Sequence, residues 1–193
     1  MKNLFIALML LILPGICNAQ MAGSNQSSQL YIETDPTVYF FNGYSLVISR
    51  SATFSKKLKL GIGVYKTKLP DFYIESEKEN IGLGWKGENF GFDGFIDYYL
   101  FAPNKGLSVG TIIGLYKFTI QRNGKEESYH SLVETIRIGY LWRPFKSFQQ
   151  LYLNPWAGLS TDQKISGTNE IDGSIFHTPK WSFVPALQIG FSF

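Results

Sequence analysis

Polarity alternates along positions 181 to 193, the last thirteen residues of the chain. The apolar side chains of this segment occupy every second position: Trp181, Phe183, Pro185, Leu187, Ile189, Phe191 and Phe193. Successive side chains of a β-strand point to opposite faces, so this period of two predicts a strand with one apolar face. The same period recurs in 58–64, 91–101 and 151–160. Because no segment after residue 26 has a convincing helical period, the pattern predicts an all-β fold.

Two antiparallel folds have strands with this alternating polarity, a half-solvated sheet and a membrane-spanning barrel, and strand length distinguishes them. Strands of globular sheets average about 5 to 6 residues, whereas a strand that crosses a bilayer needs about 9 to 11. The eight predicted strands, most of which reach that longer range, are 27–34, 43–54, 58–67, 91–101, 106–121, 128–142, 149–161 and 180–193. We therefore predict an eight-stranded, antiparallel, up-and-down transmembrane β-barrel. A soluble lipocalin-like or sandwich protein of the periplasm is the alternative fold.

Turn lengths and aromatic positions give the predicted barrel an orientation. The connections at 55–57, 102–105 and 143–148 are short, whereas those at 35–42, 68–90 and 162–179 are long. Outer-membrane barrels have short periplasmic turns and longer external loops, so both chain ends are expected on the periplasmic side. Aromatic girdles flank the apolar band of such barrels. We expect an inner girdle of Phe54, Phe101, Trp142, Phe145, Phe148, Phe191 and Phe193, and an outer girdle of Tyr65, Phe92, Trp181 and Phe183.

The N-terminal segment has the layout of a secretory signal peptide. Lys2 precedes an apolar run from Leu4 to Leu13, and small residues follow up to Ala19. An apolar run of about ten residues is too short to span a bilayer as a helix, which needs roughly 20. The predicted domains are a signal peptide at 1–19, a polar linker at 20–26 and an outer-membrane β-barrel at 27–193.

Charge and cysteine content exclude several classes of function. The chain carries 18 Lys and Arg residues against 15 Asp and Glu, without a basic cluster, which argues against a nucleic-acid partner. Signal cleavage would remove Cys17, the one cysteine, so we expect no disulfide. Scattered charges lie on the small or polar faces of the predicted strands, where a narrow barrel would direct them inward and let them pair. The expected lumen charges are Glu33, Lys59, Asp93, Asp97 and Arg137.

These features resemble the small outer-membrane β-barrels of Gram-negative bacteria of the OmpA/OmpX type. The likeness rests on the "NAQ" end of the signal peptide, the amphipathic strands and the terminal "WSFVPALQIGFSF". The stretch "TDPTVYFFNGYS" at 34–45 also resembles a segment of uncharacterised barrels from Bacteroidetes-like organisms. The resemblance implies an outer-membrane location, contact with outer-membrane lipids and insertion by the barrel-assembly machinery. That machinery would recognise Leu187, Ile189, Phe191 and Phe193, so deleting Phe193 or adding a polar tail is expected to impair insertion.

One segment near the top of the sixth predicted strand carries residues suited to acyl transfer. In "SYHSLVE", Ser128, His130 and Glu134 are separated by two and four positions, and these even spacings place them on one face. A base within reach of a hydroxyl is the minimal requirement for nucleophilic catalysis. Some eight-stranded outer-membrane barrels are lipid A deacylases with such residues, but the sequence lacks their H-x-S order. We therefore predict that the protein is not an enzyme and has no catalytic residue, metal site or cofactor.

The sequence favours a structural or surface-contact role. Eight strands leave room in the lumen for side chains and little else, so we expect the lumen to be largely filled. The long loops, above all 68–90, are the predicted contact surface for an external ligand. The alternatives are a rim enzyme that acts on lipid A acyl chains and a narrow pore.

Overall fold

The computed structural model describes residues 29–193, and most of its strands form one closed antiparallel barrel. The strands are β1 (Leu30–Thr34), β2 (Tyr44–Ala52), β3 (Ser55–Lys68), β4 (Lys86–Tyr99), β5 (Gly106–Arg122), β6 (Lys125–Leu141), β7 (Leu151–Gly167), β8 (Glu170–Ile171), β9 (Ser174–Ile175) and β10 (Ser182–Ser192). Strands β1 to β7 pair in chain order, and β10 closes the ring between β7 and β1. This topology confirms the predicted eight-stranded up-and-down barrel. The predicted signal peptide and linker lie outside the described residues.

Short helices and a small hairpin occupy the long connections. Helix α1 (Thr37–Phe40) follows β1, and helix α2 (Asp71–Ile74) with a 3-10 turn (Lys78–Asn80) lies between β3 and β4. Strands β8 and β9 form a two-stranded hairpin between β7 and β10. None of the helices in residues 29–193 has the length and apolar character needed to cross a membrane.

Several strands are longer than predicted, most clearly at the hairpin between β5 and β6. The predicted loop 122–127 contracts to a two-residue turn of Asn123 and Gly124, with φ angles of 50° and 77°. Positive φ at both central residues is what a tight type I′ hairpin requires, and Asn-Gly is its preferred sequence. As a result β5 and β6 each contain 17 residues, as β7 also does, well beyond the length needed to cross a bilayer.

The outer surface of the barrel is apolar where a membrane would contact it. Ile62, Phe92, Ile136 and Leu159 point outward and expose between 55% and 76% of their surface. At the short-turn end, exposed aromatic side chains form the expected inner girdle at Phe54, Phe101, Trp142, Phe145 and Phe148. The outer-girdle prediction for Tyr65 is wrong. Because Tyr65 lies on the inward face of β3, its ring contacts Tyr116 inside the barrel, with ring centroids 6.4 Å apart.

Candidate lumen site

A layer of tyrosines crosses the barrel interior at the short-turn end. Tyr31, Tyr99, Leu141 and Tyr152 are each exposed by 1% or less and form one apolar cluster. The rings of Tyr31 and Tyr152 meet edge to face at a centroid distance of 5.9 Å. We call this group the tyrosine layer.

Four of the five predicted lumen charges lie together next to the tyrosine layer. Lys59 Nζ is 2.9 Å from Glu33 Oε1 and 3.8 Å from Asp97 Oδ2. Arg137 donates from Nε and Nη2 to the two carboxylate oxygens of Asp97, at 2.9 and 2.7 Å. The Tyr152 hydroxyl donates to Glu33 Oε1 at 2.8 Å and so joins this ion cluster to the tyrosine layer. Two cations balance two anions, which a buried charge group requires.

A glycine allows the Arg137–Asp97 pair to form across an intervening strand. Register places Gly110 of β5 between Asp97 of β4 and Arg137 of β6. A Cβ atom at Gly110 would lie 2.2 Å from Asp97 Oδ1. The absent side chain therefore leaves the space through which the two charged groups meet. The sequence alone did not identify Gly110. The feature that could have indicated its role is a small residue on the inward face of a long strand.

Asp93, the fifth predicted lumen charge, lies apart from the ion cluster. Its Oδ1 accepts a hydrogen bond of 2.7 Å from the Tyr116 hydroxyl. Among the ion pairs found in residues 29–193, none includes Asp93. The expectation that the lumen charges pair holds for Asp97 but not for Asp93, because Lys59 and Arg137 are directed toward Asp97 and Glu33.

A cavity of about 500 Å³ lies on the long-loop side of the ion cluster. Phe95, Arg137 and Trp156 line its inner end, where the Arg137 guanidinium lies 4.8 Å from the Phe95 ring centroid and 5.2 Å from that of Trp156. Asp93 and Asp162 also line it. The sequence did not predict this space, since alternation alone does not reveal how far inward side chains reach.

An apolar cluster packs above the cavity at the long-loop end. Its buried members are Leu69, Ile74, Trp85, Phe118, Ile120, Tyr129, Ile171 and Phe176, drawn from the β3–β4 and β7–β10 connections and from the upper parts of β5 and β6. The rings of Trp85 and Phe176 meet at a centroid distance of 5.4 Å. Burial, with a contribution from the Asp162 carboxylate, raises the pKa of the neighbouring Tyr73 to about 12. Its hydroxyl therefore keeps its proton at physiological pH.

Asn80 links the β3–β4 loop to the β7–β10 loop by hydrogen bonds. Its Nδ2 donates to the carbonyl oxygens of Ile74 and His177, at 2.9 and 2.8 Å, and its Oδ1 accepts from the His177 backbone N–H at 3.0 Å. The side chain is 2% exposed, so none of these bonds is readily replaced by water. The loops therefore form one ordered cap.

Replacing Asn80 with alanine is expected to detach the cap locally. The buried Ile74 carbonyl and the partly buried carbonyl and N–H of His177 would lose their partner, at about 1 to 3 kcal/mol for a fully buried group and less for the other two. Hydrogen exchange should increase in 71–81 and 169–177 while the strands of the barrel keep their protection. Glu79→Ala, in the same turn but exposed, is the matched control. Unchanged exchange in both loops of Asn80→Ala would contradict the fastening role.

The first long loop contains a carboxyl group with a perturbed pKa. Asp35 Oδ1 accepts hydrogen bonds from the Thr37 backbone N–H and hydroxyl, at 2.8 and 2.6 Å. Burial nevertheless raises the pKa of Asp35 above its ordinary 3.8. Since the folded state binds this proton more tightly than the unfolded state, the contribution of Asp35 to stability decreases as pH rises from 3.8 through the raised pKa.

The residues considered for acyl transfer do not assemble into a catalytic group. Ser128, His130 and Glu134 all lie on the outward face of β6, and the pair partner of His130 across the sheet is Ser166, whose Oγ lies 3.4 Å from His130 Nδ1. Glu134 is four residues along the strand, a separation of about 13 Å at the usual rise. That distance is too long for a carboxylate to orient the imidazole. Within residues 29–193, no group of three or more His, Cys, Asp or Glu side chains could hold a metal ion.

The predicted assembly residues lie on the lipid-facing side of β10 and just beyond it. Leu187, Ile189 and Phe191 share the outward face, and the Phe193 N–H donates to the Leu30 carbonyl of β1 at 2.9 Å. The Phe191 ring contacts the rings of Phe148 and Phe193, at centroid distances of 5.6 and 4.8 Å. This geometry makes the segment both the closing edge of the barrel and part of the aromatic rim.

A closed antiparallel barrel, apolar outside and charged inside, defines the class of transmembrane β-barrels of the outer-membrane type. No family model and no curated protein matches the chain. Similar solved structures include the N-terminal β-barrel domain of Pseudomonas aeruginosa OprF, with 14% identity, a TM-score of 0.47, and 86% of this chain and 96% of that chain covered. A major outer membrane protein from Thermus thermophilus has 12% identity and a TM-score of 0.49, covering 87% and 100%. The attachment invasion locus protein Ail of Yersinia pestis has 10% identity and a TM-score of 0.44, covering 86% and 97%.

Proposed function

We propose that the protein is a structural barrel of the outer membrane that keeps its lumen closed to ions and presents its long loops as a contact surface. The observation that carries this proposal is the pair of buried layers at the short-turn end. The tyrosine layer and the ion cluster are joined by the Tyr152–Glu33 hydrogen bond. An ion would have to displace side chains that are packed and paired, a cost that favours a closed lumen over a narrow pore.

The ordered cap supports the contact role. Asn80 and the apolar cluster hold the loop between β3 and β4 against the loop that carries β8 and β9. A surface that is ordered before binding loses less conformational entropy when a partner binds. The cap and the neighbouring first loop leave large apolar side chains accessible, with Phe40, Phe72 and Ile81 exposed by 85%, 72% and 56%. Exposed apolar groups of this kind are typical of surfaces that bind other molecules.

We expect no single-channel current from the full-length protein reconstituted in planar lipid bilayers. The physical reason is the double layer of buried side chains between the cavity and the short-turn end. A conducting porin in the same bilayers serves as the positive control, and heat-modifiable migration on a denaturing gel shows that the barrel is folded. Stepwise currents from the folded protein would contradict the closed lumen and favour the pore alternative.

A further inference from the structure

The barrel wall is incomplete on one side, between β10 and β1. Strand β10 pairs with β7 from Ser182 to Phe191, but with β1 only from Ile189 to Ser192. The edge of Ser182 to Gln188 that faces β1 therefore has no strand partner, because β1 ends at Thr34. No backbone hydrogen bond from this edge reaches another element within residues 29–193. We call this gap the lateral notch.

The lumen cavity runs along the free edge of β10 at the lateral notch. Val184, Ala186 and Gln188 line it from the inward face of β10, and Phe183 and Pro185 line it from the outward face of the same strand. Residues from both faces of β10 therefore border the cavity, beside the free edge of the strand. Unpaired backbone at membrane depth is tolerated where it is buried in protein or lines a water-filled cavity. Pro185, which lacks an N–H, also suits a strand with a free edge.

The outer end of the cavity is apolar and faces the lipid side. Phe41 and Phe72 border it opposite β10, with their ring centroids 6.4 Å apart. Phe183, on the β10 side, is 69% exposed and pairs in register with the lipid-facing Leu159. The opening lies beside Phe183, one of the predicted outer-girdle aromatics, where an alkyl chain would pass from the bilayer into the barrel.

The lining of the cavity has an excess of negative charge. Its charged lining residues are Asp35, Asp93, Asp162 and Arg137, and the Arg137 guanidinium is already bonded to Asp97. Asp93 of β4 pairs with Gly114, Gly114 pairs with Val133, and Val133 pairs with Asp162 of β7. The two carboxyl groups therefore point into the lumen from strands that are three positions apart in the ring. No hydrogen bond of good geometry reaches either oxygen of Asp162, although the Ser131 hydroxyl interacts with it.

From this arrangement we propose that the cavity binds a single-chain amphiphile with a protonated amine head group. The ammonium group lies between Asp93 and Asp162, and the alkyl chain leaves through the lateral notch past Phe183 and Phe72. Charge complementarity selects the head group, because an ammonium donates up to three hydrogen bonds, and neither Asp93 nor Asp162 is among the ion pairs found in residues 29–193. The volume of about 500 Å³ lies within the usual size range of ligand pockets, roughly 300 to 1,000 Å³.

Photolabelling of the full-length protein in nanodiscs tests this proposal. The probes are a long-chain alkylamine and a fatty acid of equal length, each with a diazirine in the chain, and labelled residues are mapped by mass spectrometry. We expect the amine to label Phe183, Phe72 and their neighbours saturably, and unlabelled alkylamine to compete. The fatty acid should label the lipid-facing surface without saturation.

Carboxamide variants identify the head-group site. Asp93→Asn and Asp162→Asn are each expected to weaken saturable amine labelling by about tenfold, the size typical of one lost charge-assisted hydrogen bond. Glu134→Gln, a carboxylate on the outward face of β6, is the matched control and should change nothing. Heat-modifiable migration establishes that each variant is folded. Equal saturable labelling by both probes, or amine labelling that survives both aspartate substitutions, would overturn the proposal.

Discussion

Replacing Arg137 with methionine is expected to lower the free energy of unfolding by about 3 to 5 kcal/mol, the usual cost of removing one partner from a buried ion pair. Arg137 provides both short hydrogen bonds to Asp97, which is 3% exposed. Without them, the remaining cation near Asp97 is Lys59, whose Nζ is 3.8 Å away and 2.9 Å from Glu33. The variant would therefore contain two buried carboxylates and one buried cation. Urea unfolding in lipid vesicles, followed by tryptophan fluorescence, measures the loss.

The double variant Arg137→Met/Asp97→Leu is the control for this interpretation. It removes one cation and one anion, so Lys59 and Glu33 are left as a neutral pair. Replacing a complete buried ion pair by apolar groups is often close to neutral. We expect the double variant to unfold at a higher urea concentration than Arg137→Met. A single variant as stable as the unaltered protein, or a double variant less stable than the single, would show that charge balance does not hold the lumen together.

The inward or outward direction of each side chain in a strand was predictable because the two faces of the strand have different surroundings. In β4, Phe92 and Ile96 point outward and are exposed, while Asp93 and Asp97 face the barrel interior. A period of two fixes this division whatever the neighbouring strands are. The girdle prediction for Tyr65 is wrong because it follows from the aromatic character of the residue and not from its position in the alternating pattern. Its parity with Lys59, an inward residue of the same strand, already indicated the inward face.

Register between distant strands could not be predicted, and the site depends on it. Strand β1 ends before Pro36, which has no N–H to donate, so its short length follows from the sequence. The lateral notch, however, exists because Thr34 pairs with Ile189 rather than with a residue nearer Ser182. The contact of Arg137 with Asp97 across Gly110 is likewise set by two successive registers. The residue pattern within one strand contains no information about its register with a neighbouring strand. Closure of the ring determines the register of every strand pair.

The closing seam between β10 and β1 is one of the two shortest pairings in the ring. Strand β1 joins β10 through only four paired positions, and the Phe193 N–H adds one bond to Leu30. Every other neighbouring pair in the ring except β1 and β2 has more positions in register. We therefore expect closure of the ring to be sensitive to changes in the terminal segment.

Replacing Phe191 and Phe193 together with serine is therefore expected to lower the amount of membrane-inserted barrel in cells several-fold. The two rings contact each other, and Phe191 also contacts Phe148, on the lipid-facing rim. Their loss removes the aromatic pattern that the assembly machinery is predicted to bind. The heat-modifiable fraction of the protein in isolated outer membranes, compared with total protein, measures insertion.

The matched control is Phe54→Ser/Phe101→Ser, which removes two aromatic rings from the same end of the barrel outside β10. Phe54 and Phe101 are 81% and 77% exposed, so they are at least as available to lipid as the terminal pair. If anchoring in the membrane interface were the only role of these rings, both double variants would insert equally poorly, and the assembly signal would be refuted. Refolding of purified protein from urea into detergent separates the two effects further. A recognition defect leaves refolding of the Phe191→Ser/Phe193→Ser barrel intact, whereas a packing defect lowers it in detergent and in cells alike.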